Sequence, residues 1–433
     1  MIADLIALIA AYGGPKALSA ICAKFGFGGA AELLASVAPS VMSYTFFAVT
    51  TQHFPRFAAF CLLPQLGMST LVFLSMGPNA YVLKNLVLPS FTAFAAYQGW
   101  FSASPFLPSF FLDSIRHSSM LIAIVLIVLH TIYVSRALAV RLVYPAPIIA
   151  QLINLKALRD NALQHGVTRH RIPSSATPGA LLDALFHTTP EISVNGESSA
   201  AKFGSFPECW LIYLGGNGEV AEASIDSARM YGSALGCKVA VFNPRGVGES
   251  GGLPVSTSSE LVTDAQDVIR FIIEKYGVRQ EQIILFCHSI GGGVGGEIAA
   301  KTFPRINIVF DRTFSNLPDA ARAMMPIFPQ PLVKFALPKL FGEFNTDANF
   351  DLINHNRKIV SFHAHDQIIR YEFASLARLP QFGTGGKDEY RVVELTGRSA
   401  DPHNSPTEVF RAGHMILCKK MAEMLAESQQ AKN

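Results

Sequence analysis

The stretch LFCHSIGGG, residues 285 to 293, joins a run of apolar residues to a run of glycines, with one serine between them. An apolar strand that turns sharply into a glycine-rich helix at a serine is the nucleophile-elbow pattern, which exposes a strained serine at the top of a sheet. Gly291 supplies a small neighbour that this turn needs, whereas Cys287 stands where glycine is usual. Each further glycine here would cost a helix about 0.5–1 kcal/mol relative to alanine, so the run indicates close packing of this helix on the strand. Ser289 is therefore the candidate nucleophile.

Short apolar segments alternate with longer amphipathic segments from about residue 207 onward. The strand-like segments are CWLIYL, CKVAVFN, QIILFC, RINIVF, RKIVSFHA and EYRVVEL. Strands separated by helix-length segments predict an α/β fold with right-handed crossovers and a mainly parallel sheet covered by helices on both faces. In such sheets ligands bind beyond the carboxyl ends of the strands, and the candidate residues fall there.

Two aspartates and two histidines could complete a triad with Ser289. Asp366, directly after the strand in KIVSFHAHDQIIR, is the first candidate for the acid, and Asp311, after INIVF, is the alternative. His414, in VFRAGHMILCKK, is the first candidate for the base, because a loop that leads from the last strand into an apolar helix suits that role. His403, in DPHNSP, is the second choice. The base would take the serine proton and return it to the leaving group, while the acid fixes its tautomer.

A tetrahedral intermediate also needs hydrogen-bond donors for its oxyanion. One expected donor is the backbone N–H of Ile290, next to the nucleophile. The second is the backbone N–H of Asn217, in the turn YLGGNGE after the first strand of the alternating series, where flanking glycines let the backbone approach a substrate.

Several other chemistries lack a matching pattern. Two GxGxxG spacings occur, but RGVGESGG does not open directly into a helix and the glycines after Ser289 are explained by the elbow. The sequence contains neither a GxxxxGK[ST] phosphate loop nor metal-ligand spacing of histidines, so we expect no cofactor and no metal. A formal net charge of +3 without a Lys/Arg run gives no basic face for nucleic acid.

The first third of the chain has a lipid-like composition. Uncharged stretches cover residues 33–55, 57–83, 85–112 and 117–135, each near or above the roughly 20 residues that cross a bilayer as a helix. Prolines interrupt the first three, so we expect between two and four spans. The charged residues before position 135 are few: Asp4, Lys16, Lys24, Glu32, Arg56, Lys84, Asp113 and Arg116.

These compositions divide the chain into three parts. We expect a helical membrane region at residues 1–145, a linker and the start of the catalytic domain at 146–204, and a catalytic domain at 205–433. Arg136 and Arg141, with further basic residues behind them, place the segment after the last span on the cytoplasmic side by the positive-inside rule. Six cysteines without paired spacing agree with a reducing compartment.

The motifs together resemble the α/β-hydrolase superfamily over residues 205 to 425. The resemblance rests on YLGGNGE, FNPRGVGESGG, CHSIGGG, FDRTFSNL, HAHDQII and AGHMI, in that order. It is nearest to membrane-anchored serine hydrolases of the lysophospholipase and monoacylglycerol-lipase kind, and to an uncharacterised hydrolase group of intracellular bacteria. The resemblance implies cleavage of an ester or amide through an acyl-enzyme.

An apolar stretch at about residues 312–356 would form a cap over the pocket in this architecture, and its composition suits an acyl chain or the bilayer surface. The sequence therefore predicts a membrane-tethered serine hydrolase (an esterase or lipase) that cleaves a lipid or other acyl ester. A peptidase or acyltransferase with the same triad is an alternative. A membrane scaffold with the hydrolase fold and an unused triad is another.

Overall fold

A mainly parallel β-sheet organises the part of the chain that the structure describes. The computed structural model describes residues 140–188 except 142, 203–324, 329–379 and 392–430, together with the backbone of two short strands at 193–194 and 197–198. These residues belong to a compact unit that extends from Ala139 to Asn433. The four uncharged stretches expected to cross a membrane lie outside the described residues. Within the described residues, no helix is long and apolar enough to span a bilayer.

The sheet has eight strands in the described residues, in the order β1-β2-β6-β5-β7-β8-β9-β10. Strand β2 pairs antiparallel with β1 and β6, and the pairs from β6 through β10 are parallel. Strands β3 and β4 form a separate antiparallel ribbon. The strands are β1 (Val167–Pro173), β2 (Leu181–His187), β3 (Ser193–Val194), β4 (Glu197–Ser198), β5 (Trp210–Leu214), β6 (Lys238–Asn243), β7 (Ile283–His288), β8 (Asn307–Asp311), β9 (Lys358–Phe362) and β10 (Val392–Glu394).

Helices cover both faces of the sheet. Helices α3 and α9 contribute to the apolar core on one face, and α4 and α5 contribute to the core on the other. The helices are α1 (Ala146–Leu152), α2 (Leu155–Gln164), α3 (Ala221–Leu235), α4 (Ser258–Tyr276), α5 (Ile290–Lys301), α6 (Leu317–Met324), α7 (Gln330–Leu340), α8 (Thr346–Leu352) and α9 (Arg411–Gln430). The expected α/β fold, with its sheet covered on both faces, is confirmed.

Continuously apolar strands occupy the centre of the sheet because both of their faces are buried. In β5, Trp210, Ile212 and Leu214 point into one core, whereas Leu211 and Tyr213 point into the other. This alternation follows from the two-residue period of a strand. Strand β7 repeats the pattern, so the strand that leads to Ser289 is buried along its whole length.

The glycine run of α5 lets this helix approach the sheet closely. A Cβ atom at Gly291 would collide with the carbonyl oxygen of Leu214, and one at Gly295 would collide with the Cys287 sulfur. Any larger side chain at these two positions would push the helix off the strands. The glycines therefore allow the helix, and with it the serine turn, to lie close to the sheet.

Regular structure extends on both sides of this core. Residues 146–204, expected to contain a linker and the start of the catalytic domain, contain α1, α2 and the strands β1 and β2 of the main sheet. The stretch expected to form a cap, about 312–356, contains α6, α7 and α8. Helix α8 packs against α5, and α6 packs against α7.

Candidate active site

Ser289 lies in the sharp turn between β7 and α5. Its φ of 54° and ψ of −118° fall outside the regions that ordinary residues adopt. Two hydrogen bonds hold this strained backbone: the Ser289 N–H donates to the Asp311 carbonyl at 3.0 Å, and the Thr313 hydroxyl donates to the Ser289 carbonyl at 2.6 Å. Strain that the surroundings maintain in this way is typical of functional residues.

His403 links Ser289 to Asp366. Its Nε2 lies 3.0 Å from Ser289 Oγ, and its Nδ1 lies 2.8 Å from Asp366 Oδ2. Because a carboxylate only accepts, Nδ1 carries the proton and Nε2 is free to accept the serine hydroxyl hydrogen. The other Asp366 oxygen accepts the backbone N–H groups of Ile368 and Ile369 at 2.9 and 2.8 Å. The three side chains therefore form a continuous serine–histidine–aspartate relay.

The electrostatic surroundings favour a neutral His403. Burial lowers the pKa of this imidazole, the hydrogen bond to Asp366 raises it, and electrostatic interactions with His288 and Arg312 lower it again. The net direction is downward, so the ring is deprotonated at neutral pH and able to accept a proton.

The position of His414 contradicts its assignment as the base. Helix α9 begins at Arg411, so the Gly-His pair lies in the first turn of the helix instead of in the loop before it. There His414 Nδ1 lies 3.0 Å from the Thr407 hydroxyl and its ring packs 5.4 Å from that of Tyr231. The second choice, His403, occupies the place at Ser289 because the loop DPHNSP folds over the carboxyl ends of the strands.

Asp311 is part of a different polar cluster. Its Oδ2 accepts from His288 Nδ1 at 2.9 Å and from Arg312 at 2.7 Å, and its Oδ1 accepts from the Ser361 hydroxyl at 2.7 Å. Burial raises the pKa of Asp311, but the Arg312 charge and the His288 hydrogen bond outweigh burial and hold that pKa well below its usual range. The carboxylate that faces His403 is thus Asp366, whereas Asp311 is the counter-ion of Arg312.

The two expected oxyanion donors border the same cavity as Ser289. Ile290 is the first residue of α5, where a backbone N–H has no acceptor within the helix. Asn217 lies in the turn after β5, and a Cβ atom at the neighbouring Gly216 would lie 3.6 Å from the Ser289 Cβ atom. The turn that carries Asn217 therefore lies within van der Waals reach of the serine.

This cavity, of about 90 Å³, is mostly apolar. Its lining residues are Val143, Asn217, Ser289, Ile290, Phe314, Leu317, Ala320, Ala321, Met324, Ile368 and Ile369. The part of its wall that comes from α6 belongs to the stretch expected to form the cap. An apolar cavity with a nucleophile at its border suits an uncharged chain bound next to a reactive carbonyl.

Val143 reaches this cavity from a segment that sequence analysis did not connect with the site. In the same segment, the Ala146 N–H donates to the Asn217 carbonyl at 3.1 Å. A Cβ atom at Gly218 would collide with the Ile149 side chain, so α1 packs directly on the turn that carries Asn217. No signal in the sequence marked these residues, because their apolar composition continues that of the preceding membrane-like stretch.

Comparison with known proteins finds a hydrolase family and relatives that match part of the chain. A family model described as serine aminopeptidase, S33, matches residues 227–381, which include Ser289 and Asp366 and end before His403. The uncharacterized protein F37A4.1 of Caenorhabditis elegans is 38% identical over 185 residues, which cover 42% of this chain and 34% of that protein. Protein bem46 of Schizosaccharomyces pombe is 28% identical over 117 residues, which cover 27% of this chain and 38% of that protein. The alignments thus span little more than a third of these relatives' own length.

Solved structures of similar topology include an alpha-beta hydrolase from Vibrio vulnificus and the esterase Pf2001 of Pyrococcus furiosus. The first has a TM-score of 0.49 and 17% identity, over 68% of this chain and 93% of that chain. The second has a TM-score of 0.42 and 17% identity, over 64% of this chain and 95% of that chain. The strand order, the strained serine between β7 and α5 and the family match over residues 227–381 together support a place for this chain in the α/β-hydrolase superfamily.

Proposed function

We propose that the protein is a serine hydrolase that cleaves acyl esters. Ser289 is the nucleophile, His403 is the general base and then the general acid, and the Asp366 carboxylate orients His403. The observation that carries this proposal is the unbroken hydrogen-bonded relay from Ser289 Oγ through His403 to Asp366. The family match supports a serine hydrolase in general.

The geometry suggests the order of bond changes. As Ser289 Oγ attacks the ester carbonyl carbon, its proton moves to His403 Nε2. The π electron pair of the carbonyl moves onto its oxygen, which becomes an oxyanion. The N–H groups of Ile290 and Asn217 would stabilise that oxyanion. When the intermediate collapses, the bond to the leaving alcohol breaks and His403 donates its proton to that alcohol. Water then releases the acyl group from Ser289 by the same steps in reverse.

A lipid or other acyl ester fits the cavity better than a charged substrate does. The side chains from α6 that border Ser289 are apolar, and Ile368 and Ile369 extend this surface. We further propose that the stretches before residue 139 hold the enzyme on a membrane, with the catalytic domain on the cytoplasmic side. Support for this comes from their uncharged length and the basic residues that follow them.

A peptidase is the second candidate, because the matching family model is described as a serine aminopeptidase. An acyltransferase would use the same relay with an alcohol or amine in place of water. A scaffold with an unused triad would not require the strained backbone of Ser289 or the hydrogen bonds that join Ser289, His403 and Asp366.

Labelling with a fluorophosphonate, which reacts with activated serines, tests the proposal. Membranes that contain the wild-type chain should be labelled, and membranes that contain Ser289→Ala should not. Folded wild-type protein that resists both a large and a small fluorophosphonate would refute an operating nucleophile. Hydrolysis of p-nitrophenyl esters, monoacylglycerols and lysophospholipids, compared with aminoacyl p-nitroanilides, then separates the esterase from the peptidase.

A further inference from the structure

Asp311 and Arg312 form a buried ion pair directly behind the Ser289–His403–Asp366 relay. Both side chains are almost fully excluded from solvent. Arg312 Nη2 and Nε donate to Asp311 Oδ2 at 2.7 and 3.0 Å. Such a pair is costly to bury, and replacement by apolar residues is often neutral or stabilising. Stability alone is therefore a weak explanation for its presence here.

The third nitrogen of the Arg312 guanidinium reaches the loop that carries the histidine. Its Nη1 donates to the Pro402 carbonyl at 2.8 Å and to the Ser405 carbonyl at 2.6 Å. These two carbonyls flank His403 on either side. A planar guanidinium presents several donors in a fixed geometry, so one side chain fixes both the near and the far end of the short loop.

Asp311 joins the other end of the ion pair to the serine turn. Its backbone carbonyl accepts the Ser289 N–H at 3.0 Å, and its carboxylate accepts from His288, the residue before the serine. The guanidinium thus connects the loop of the histidine to the turn of the nucleophile through a single aspartate.

The backbone of Arg312 is itself strained. Its φ of 45° makes it, with Ser289, one of two non-glycine residues with positive φ within the described ranges. The Arg312 N–H donates to the Ser361 carbonyl at 2.8 Å, which holds the residue in this conformation. Left-handed backbone at a residue other than glycine persists only where the surroundings hold it, and such residues cluster at functional sites.

We propose that Arg312, anchored by Asp311, is a positioning residue that sets the distance between His403 and Ser289. The proposal rests on the proposed hydrolase function for its kinetic consequence and on geometry alone for its structural consequence. It assigns no contact with substrate to either residue.

Arg312→Lys is the first test variant. Lysine keeps the positive charge that Asp311 needs, but a single ammonium cannot replace a fork that reaches the carboxylate and both carbonyls. Arg312→Gln is the second variant and removes the charge as well. The control is Arg357→Lys, because Arg357 also donates to a backbone carbonyl, that of Arg305 at 2.7 Å, but lies at the amino end of β9, whereas Arg312 follows the carboxyl end of β8.

Hydrogen exchange of the full chain in detergent measures the structural consequence. Peptides that cover residues 399–410 should exchange faster in Arg312→Lys than in wild type, and Arg357→Lys should leave them unchanged. Because this readout needs no turnover, it remains valid if the wild-type protein does not react with fluorophosphonates. Unchanged exchange of these peptides in both Arg312 variants would overturn the inference.

Kinetics with p-nitrophenyl butyrate, normalised to titrated serines so that unfolded molecules do not count, measures the catalytic consequence. We expect kcat to fall about 10- to 100-fold in Arg312→Lys, since a shift of about 1 Å in a reacting group has effects of that size. KM should stay near the wild-type value because the apolar cavity is untouched. Wild-type kcat in folded Arg312→Lys and Arg312→Gln, or a change in KM alone, would contradict a positioning role.

Discussion

Replacement of His403 by glutamine separates the two candidate histidines. Glutamine has a similar length and can hydrogen-bond to Ser289, whose Oγ lies 3.0 Å from the imidazole Nε2, but it does not accept a proton at neutral pH. A positioned general base contributes about 10²- to 10⁴-fold to rate, which corresponds to about 3–5 kcal/mol of transition-state stabilisation. We therefore expect His403→Gln to lower kcat/KM for p-nitrophenyl butyrate by about 10²- to 10⁴-fold.

His414→Gln is the matched control, since the two ring nitrogens of His414 lie next to Thr407 and Cys418, whereas His403 is the histidine at Ser289 Oγ. Its kcat/KM should stay near the wild-type value. The assay compares initial rates of the detergent-solubilised full chain, with thermal unfolding as a check on the fold. Loss of turnover in folded His414→Gln, together with retention in His403→Gln, would refute the assignment.

Three further predictions follow from the same geometry. Asp366→Asn should lower kcat about 10⁴-fold by favouring the wrong tautomer of the base. Asp311→Asn should lower kcat no more than about 10- to 100-fold, the effect expected when Arg312 is no longer anchored, and should lower the free energy of unfolding by about 3–5 kcal/mol because it leaves the buried Arg312 charge unpaired. Turnover and chemical denaturation of both variants distinguish the two effects, and turnover abolished only by Asp311→Asn would reverse the assignment of the acid. In the pH profile of kcat/KM, the midpoint of the acid limb should lie below about pH 6.5, the ordinary pKa of histidine. The surroundings lower the pKa of His403, so its neutral form persists as pH falls. A midpoint above that pH would contradict this prediction. Val143→Trp should narrow the cavity and lower kcat/KM for p-nitrophenyl decanoate at least about tenfold more than for p-nitrophenyl acetate. An equal loss of kcat/KM with both esters would show that Val143 does not line the site that binds the acyl chain.

The sequence predicted the centre of the fold well because its signals there are local. A buried strand, a serine and a glycine run occur within nine residues, and the contacts of α5 explain why the glycines are there. Asp366 and Asp311 both follow strands, with Asp366 the first candidate for the acid, and the structure places Asp366 at His403. The catalytic role of each residue stays a prediction.

The choice between the histidines depended on where a helix begins, and sequence patterns locate helix ends poorly. The order of serine, acid and histidine fits either histidine, so only the fold of the DPHNSP loop decides between them. Strand β1 was missed for another reason. Its sequence, VTRHRIP, is half exposed along an outer strand, and such a strand resembles a linker in composition.

The packing of α1 on the Asn217 turn limits where the polypeptide can be cut. A fragment that starts at residue 205, where the superfamily resemblance begins, would lack Val143, the hydrogen bond from Ala146 to Asn217, and the strands β1 and β2. Strand β6 would then present an unpaired edge, which favours intermolecular pairing and aggregation. A catalytic fragment intended for expression without the first third of the chain should therefore begin no later than residue 139.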